Sequence, residues 1–243
     1  MPFWAYLLPH VANAVLLLTI VFVFVRARQS ECWSFTAYLV TVLVTSSLMS
    51  FWPSRFYNPE FYLLSQGLYD ILTLLVGVEI AHRVFRRFPG ARPLAHVVVL
   101  AILVLSTAAF LAIPRQVPYE TWFEWQPRIV ASTVWLFTAV GFLILWFRVP
   151  VHQWHRRILL GFTPYLLVSV TVLGILRDLG WDFRIVVGAI DVVAYIVLVS
   201  WWAWAASRPK ERIEMTPGVA HRLGLGSPPQ PRRSASPPLS RTA

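Results

Sequence analysis

The sequence predicts an all-α polytopic membrane bundle of seven transmembrane helices, with the N-terminus outside and the C-terminus in the cytoplasm. Three observations predict it. The 243 residues are 57% hydrophobic and only 13% charged, whereas soluble domains carry about 25% charged residues. Seven apolar runs recur along the chain, each about long enough to cross a bilayer. The basic residues, finally, concentrate in alternate loops between these runs.

Each run ends at residues that a membrane helix avoids, because proline removes a helical hydrogen bond and arginine is costly at the bilayer centre. The predicted spans are 4–25, 34–52, 61–83, 94–113, 129–148, 158–177 and 185–206. The stops after the first five are Arg26-Ala27-Arg28, Trp52-Pro53-Ser54-Arg55, Arg86-Arg87-Phe88-Pro89-Gly90, Pro114-Arg115 and Arg148-Val149-Pro150. The first run is predicted to be retained rather than cleaved, since no basic stretch precedes it and it continues to Val25.

The basic residues predict the orientation. Sixteen of the 21 lysines and arginines lie in the first, third and fifth loops and the C-terminal tail, and five lie on the other side. The positive-inside rule therefore places the N-terminus outside and the C-terminus in the cytoplasm. Termini on opposite sides require an odd number of spans, which agrees with the seven predicted. All tryptophans except Trp135 lie near span ends or in loops, as in the aromatic belt of a bilayer protein.

The chain divides into a seven-helix domain, 1–206, and a Pro-, Arg- and Ser-rich tail, 207–243, that is predicted to be disordered. The net charge of +10 indicates contact with anionic lipid headgroups, at about 1 kcal/mol per basic residue near the surface. No nucleic-acid-binding motif accompanies it. Cys32 is the only cysteine, which excludes an intrachain disulfide.

Polar residues inside the spans are the candidate functional residues. Gln66, Tyr69, Asp70, Thr73 and Gly77 share one face of the third span. Asp70 lies about 14 Å in from Phe61, near the bilayer midplane. A carboxylate there must face the bundle interior, carry a proton or have a partner.

Glu79 lies on the opposite face of the same span, near its cytoplasmic end. Arg83 follows at i+4, the favourable order for an ion pair on a helix. We therefore expect an interfacial ion pair here.

Other spans place polar residues at a depth comparable to that of Asp70. The predicted binding residues are His10, Asn13, Gln66, Tyr69, Asp70, Tyr165 and Asp191. Ionisable residues inside a membrane bundle are functional candidates by default, although a hydrogen-bond cluster that only fixes packing is an equal alternative. If Asp70 and Asp191 are close, one would stay protonated. Pro164, beside Tyr165, either kinks its helix around a cavity or serves packing alone.

No cofactor or catalytic residue is predicted. His82, His96, His152 and His155 lie on the cytoplasmic side but lack a recognised metal-ligand spacing. The only lysine, Lys210, lies outside the spans, which excludes a retinal Schiff base. Nucleotide-binding and serine-hydrolase motifs are absent from the sequence.

Three strings, YDILTLLVGVEIAHRVFRRFPGAR (69–92), LWFRVPVHQWHRRILLGFTPYLL (145–167) and SWWAWAA (200–206), resemble an uncharacterised family of bacterial seven-helix membrane proteins. The resemblance covers 1–206 and implies the bacterial inner membrane but no known activity. The architecture is also similar to the seven-helix sensor modules of some histidine kinases. These 243 residues hold no kinase or cyclase domain, which counts against direct signal output.

The leading hypothesis is a ligand-sensing or ligand-binding module, without enzymatic activity, whose polar pocket opens outward. The alternatives are a proton-coupled transporter or channel that uses Asp70, and a metal-dependent lipid enzyme.

Overall fold

A computed structural model describes residues 3–86, 88, 90–111, 118–179 and 184–209. All regular structure in these ranges is helical. The helices are α1 (Phe3–Val25), a 3-10 turn (Gln29–Glu31), α2 (Trp33–Phe51), the short α3 (Pro53–Phe56), α4 (Pro59–Phe85), α5 (Arg92–Leu111), α6 (Pro118–Trp146), α7 (Gln153–Leu179) and α8 (Arg184–Ser207). The predicted tail lies outside the described residues from position 210 onward.

Seven long helices therefore stand where the sequence predicts seven spans, and six of them are long and apolar enough to cross a membrane. The exception is α5, whose qualifying apolar stretch, Arg92–Leu105, is shorter. The largest difference in bounds is at α6, which begins eleven residues before the predicted start at 129 and continues through Pro127. α7 likewise continues through Pro164.

The long helices form a ring with one helix outside it. α1 packs on α2, α2 on α4, α4 on α6, α6 on α7, α7 on α8, and α8 closes the ring on α1. α5 packs on α6 and α4 from outside the ring. The interior is therefore lined by the six helices that are long and apolar enough to cross a membrane.

One end of the bundle, here called the basic end, is built around the first loop. Arg28 of this loop donates to the carbonyl of Arg208 just after α8, at 2.5 Å. His155 at the start of α7 lies 2.8 Å from the carbonyl of Glu31. Arg83 at the end of α4 donates to the carbonyl of Ser30, at 2.8 Å. The ends of α1, α4 and α8 and the starts of α2 and α7 thus meet, so α1, α4 and α8 run towards the basic end and α2 and α7 run away from it.

The predicted ion pair between Glu79 and Arg83 is confirmed, with 2.6 Å between Oε1 and Nη2. The Glu79 carboxylate also accepts hydrogen bonds from the backbone N–H groups of Trp33, at 3.1 Å, and Ser34, at 2.8 Å. The first N–H groups of a helix lack intrahelical partners, so Glu79 caps α2 from α4. This second role was not predicted.

The outward surface of the bundle is apolar. In each of the six apolar stretches long enough to cross a membrane, only 22–33% is buried inside the bundle. Large side chains such as Leu64 and Trp135, each 68% exposed, point outward. This pattern fits a lipid environment. The assignment of all terminal tryptophans to an interfacial belt is wrong for Trp154 and Trp202, which are fully buried. These two indoles pack on Phe35, with ring centroids 5.5 and 4.9 Å away.

Two glycines permit close helix crossings in the ring. A Cβ added at Gly161 of α7 would lie 2.6 Å from Trp202 Nε1 of α8. A Cβ at Gly77 of α4 would lie 2.8 Å from Leu136 Cδ2 of α6. Small residues at such crossings allow the backbones of membrane helices to approach.

Candidate functional site

Asp70 faces the interior of the ring rather than lipid. It lies near the middle of α4, one residue after Tyr69. Its carboxyl group is close enough to Tyr165 of α7 to interact with it electrostatically. The Tyr69 hydroxyl forms a short hydrogen bond with the Thr45 hydroxyl of α2. The polar face predicted for this helix is therefore directed across the bundle towards α2 and α7.

α7 and α8 each present two polar residues one turn apart to the same region. On α7 these are Tyr165 and Ser169, and on α8 they are Asp191 and Tyr195. Residues at i and i+4 lie on one face of a helix. Ser169 Oγ donates to Asp191 Oδ1 at 3.1 Å, and the two tyrosine rings are tilted against each other with centroids 5.8 Å apart.

Tyr38 of α2 joins these groups together. It is only 5% exposed. Four other residues of this region lie within electrostatic range of its hydroxyl: Tyr195, Tyr165, Tyr69 and Asp191. Its ring centroid lies 6.4 Å from that of Tyr69. We call the set from α2, α4, α7 and α8 the central polar site; it comprises Tyr38, Tyr69, Asp70, Tyr165, Ser169, Asp191 and Tyr195.

Two atoms of the central polar site lack hydrogen-bond partners among the described residues. They are Asp70 Oδ2 and the Tyr195 hydroxyl, and both atoms are buried. A buried polar atom without a partner costs about 1–3 kcal/mol, and a charged one costs more. Because most buried polar groups in proteins are paired, these two atoms mark the part of the site that is incomplete.

Aromatic side chains pack below the central polar site, towards the basic end. Phe162 lies with its ring centroid 5.2 Å from Tyr38 and 4.6 Å from Trp202. Phe35 continues this layer towards Trp154. The site therefore has a closely packed apolar floor on the side of the basic end.

The structure brings together four of the seven predicted binding residues: Tyr69, Asp70, Tyr165 and Asp191. The other three lie elsewhere.

Gln66, one turn before Asp70, accepts a hydrogen bond from Gln126 of α6, at 3.3 Å. Asn13 of α1 accepts one from Ser46 of α2, at 2.7 Å. His10 is exposed.

The four histidines that the sequence places together form two ring contacts. His82 and His96 have centroids 6.3 Å apart, and His152 and His155 have centroids 5.9 Å apart. Within the described ranges, no three His, Cys, Asp or Glu side chains are grouped so that they could hold a metal ion.

Sequence reasoning left Tyr38, Ser169 and Tyr195 out of the site. The i+4 spacing of Ser169 from Tyr165, and of Tyr195 from Asp191, is the signal that would have added two of them. Tyr38 was not predicted, because α2 carries no charged residue and its serines and threonines are ordinary helix-contact residues.

Comparison with known proteins adds no assignment. The chain matches no protein-family model, no curated protein and no solved structure. The architecture is that of a multi-pass helical membrane protein, and its function has to be argued from the central polar site.

Proposed function

We propose that this protein is a ligand-binding or ligand-sensing membrane module whose ligand occupies the central polar site. The observation that carries the proposal is a pair of buried atoms, Asp70 Oδ2 and the Tyr195 hydroxyl, that have no hydrogen-bond partner within the described ranges. Asp70 Oδ2 can form a hydrogen bond whether the carboxyl group is protonated or ionised. A bound ligand would supply the missing partners. Membrane proteins retain such costly groups mainly where function needs them.

The proposal includes a topology of seven spans, with the N-terminus outside and the C-terminus in the cytoplasm of a bacterial cell, in its inner membrane. The helix directions support it, because α4 ends and α7 begins at the basic end, as two further crossings by α5 and α6 between them would require. The basic end carries most of the loop arginines and continues into the cationic tail, as the positive-inside rule requires of the cytoplasmic side.

Ligand binding is tested by thermal unfolding of purified protein in nanodiscs against a library of small polar compounds. A compound at a hundred times its Kd should stabilise the wild type by about 2.7 kcal/mol. Asp70→Asn should abolish this shift. Glu60→Gln, which alters an exposed carboxylate in the first turn of α4, is the matched control and should respond like the wild type. A library without any stabilising compound would contradict the proposal.

Topology is tested by cysteine labelling in a Cys32→Ser background in intact cells. Tyr57→Cys, at a site 81% exposed between α2 and α4, should react with a membrane-impermeant maleimide. Arg148→Cys, at an exposed site between α6 and α7, should react only after permeabilisation. Reaction of both, or the reverse order, would refute the orientation.

A second function, proton-coupled transport, draws on the same Asp70 oxygen, because an unpartnered carboxyl near mid-depth can bind and release a proton. Proton flux into proteoliposomes, measured for the wild type and Asp70→Asn, separates it from binding alone. Equal flux in the two proteins would exclude a transport role for Asp70. A metal-dependent lipid enzyme remains the third hypothesis, and elemental analysis of the purified protein tests it.

The tail is proposed to contact anionic lipid. Flotation of the full chain and of a chain ending at Pro209 with vesicles that contain or lack phosphatidylserine would test this contact.

A further inference from the structure

We infer that the ligand of the central polar site is a compact organic ammonium ion. This inference rests on the proposed function and adds the chemical class of the ligand. Its starting point is the placement of two carboxylates, Asp70 and Asp191, around Tyr165 in the interior of the bundle.

The charge of the site fits a cation. Arginines of α7 and α8 stand at least seven residues along their own helices from the polar residues of the site, which is about 10 Å at the rise of an α-helix. Arg83, on α4, is engaged at the basic end with Glu79. Arg128 of α6, two residues after Gln126, is exposed. Among the described residues neither Asp70 nor Asp191 forms a salt bridge, so the site holds no paired basic residue that would attract an anionic ligand.

The tyrosines favour an ammonium over a metal ion. Hard metal ions require a shell of oxygen ligands, whereas four of the seven side chains of the site are tyrosines, each of which has one aromatic ring for its one oxygen. Four tyrosines from α2, α4, α7 and α8 form two ring contacts, at 6.4 and 5.8 Å. Aromatic rings bind ammonium groups through cation–π attraction within about 6 Å of the ring centroid. The close spacing of the rings restricts the site to a compact head group.

The free hydrogen-bonding groups fit the same ligand. In the part of the chain that the structure describes, Asp70 Oδ2 is an acceptor without a partner, and the Tyr195 hydroxyl, also without one, can accept as well. Asp191 accepts a hydrogen bond from Ser169 Oγ at 3.1 Å, which holds its carboxyl group at a fixed position. An N–H donor of a protonated amine would pair with Asp70, and its methylene or methyl groups would pack on the rings.

The test compares isosteric ligands that differ in charge. Wild-type protein in nanodiscs is titrated by calorimetry with methylammonium, choline, the neutral choline analogue 3,3-dimethyl-1-butanol, and acetate. At least one of the two ammonium compounds should bind, and the two others should not. Asp70→Asn should weaken binding about tenfold or more, and Tyr195→Phe about two- to tenfold. Glu60→Gln, the exposed control, should bind like the wild type.

Circular dichroism and elution volume establish that each variant is folded, and Tyr195→Phe keeps the ring if Asp70→Asn fails to fold. Equal binding of choline and its neutral analogue, binding of acetate, or ammonium affinity unchanged in both folded site variants would overturn the inference. If only neutral or anionic compounds from the wider library bind, in an Asp70-dependent way, the inference is wrong and the proposed function stands. If no compound of any charge binds, the proposed function itself is wrong.

Discussion

Replacement of Glu79 tests whether one carboxylate joins α4 to the start of α2. The N-cap residue of α2, Cys32, makes no side-chain capping bond. Glu79 instead accepts from the N–H groups of the first two helical residues, Trp33 and Ser34. A helix cap contributes about 1 kcal/mol, and a partly exposed ion pair contributes up to about 1 kcal/mol. We therefore expect Glu79→Ala to lower the free energy of unfolding by about 2 kcal/mol.

Two further variants divide this loss. Glu79→Gln keeps one acceptor oxygen and loses the charge, so it should cost about 1 kcal/mol. Arg83→Gln removes the ion pair and the exposed hydrogen bond to the Ser30 carbonyl but leaves both N–H bonds to Glu79, so it should cost about 1 kcal/mol. The free energies are measured by SDS titration, followed by tryptophan fluorescence.

Hydrogen exchange at the amides of Trp33 and Ser34 gives an independent measurement. Exchange at both should accelerate in Glu79→Ala and stay near the wild-type rate in Arg83→Gln. Equal stability losses in these two variants, with unchanged exchange, would refute the capping role and leave Glu79 as an ion-pair partner alone.

Three further variants or reactions probe the packing of the ring and the basic end. Gly161→Ala should destabilise the protein by about 1–3 kcal/mol in SDS titration, since its Cβ would lie 2.6 Å from Trp202; Gly174→Ala, with no described atom within 4 Å, should instead stabilise it by up to about 1 kcal/mol through helix propensity, and equal losses would contradict the crossing. Arg28→Ala should cost about 3 kcal/mol, because this guanidinium is 1% exposed and stacks 4.9 Å from an indole centroid; a loss near zero would contradict this. Burial and a neighbouring carboxylate raise the pKa of the Cys32 thiol, so the thiol should stay protonated and resist iodoacetamide up to pH 9, but react readily in SDS; rapid alkylation of the folded protein would disagree.

The long helices could be predicted because each is specified by local sequence. An apolar run long enough to cross a bilayer, ended by proline or arginine, specifies a helix without reference to its neighbours. Asn58 shows the same locality at finer scale, since it caps α4 through a 2.7 Å bond from the N–H of Phe61. The start of α6 was misplaced because the segment before 129 contains polar residues and Pro127, which are typical of a loop. The helix nevertheless includes this segment.

The candidate site could be predicted only in part. The face of α4 that carries Asp70 follows from helical spacing, and so does the turn that joins Asp191 to Tyr195. The partners of these residues do not follow from spacing. Gln66 shares the face of Asp70 but bonds to α6, and Asn13 bonds to α2, since each helix of a ring meets two neighbours as well as the interior.

By itself the sequence determined that this chain forms long apolar helices, where each one begins and ends within a few residues except at the start of α6, and which face of α4 is polar. Those properties depend on backbone hydrogen bonds and side-chain transfer into lipid, which act within one helix. The tertiary structure decided that α5 lies outside the ring, that Glu79 caps α2, and that Tyr38 lies within electrostatic range of Tyr165 and Asp191. Those contacts depend on the order and rotation of the packed helices, which no single helix encodes.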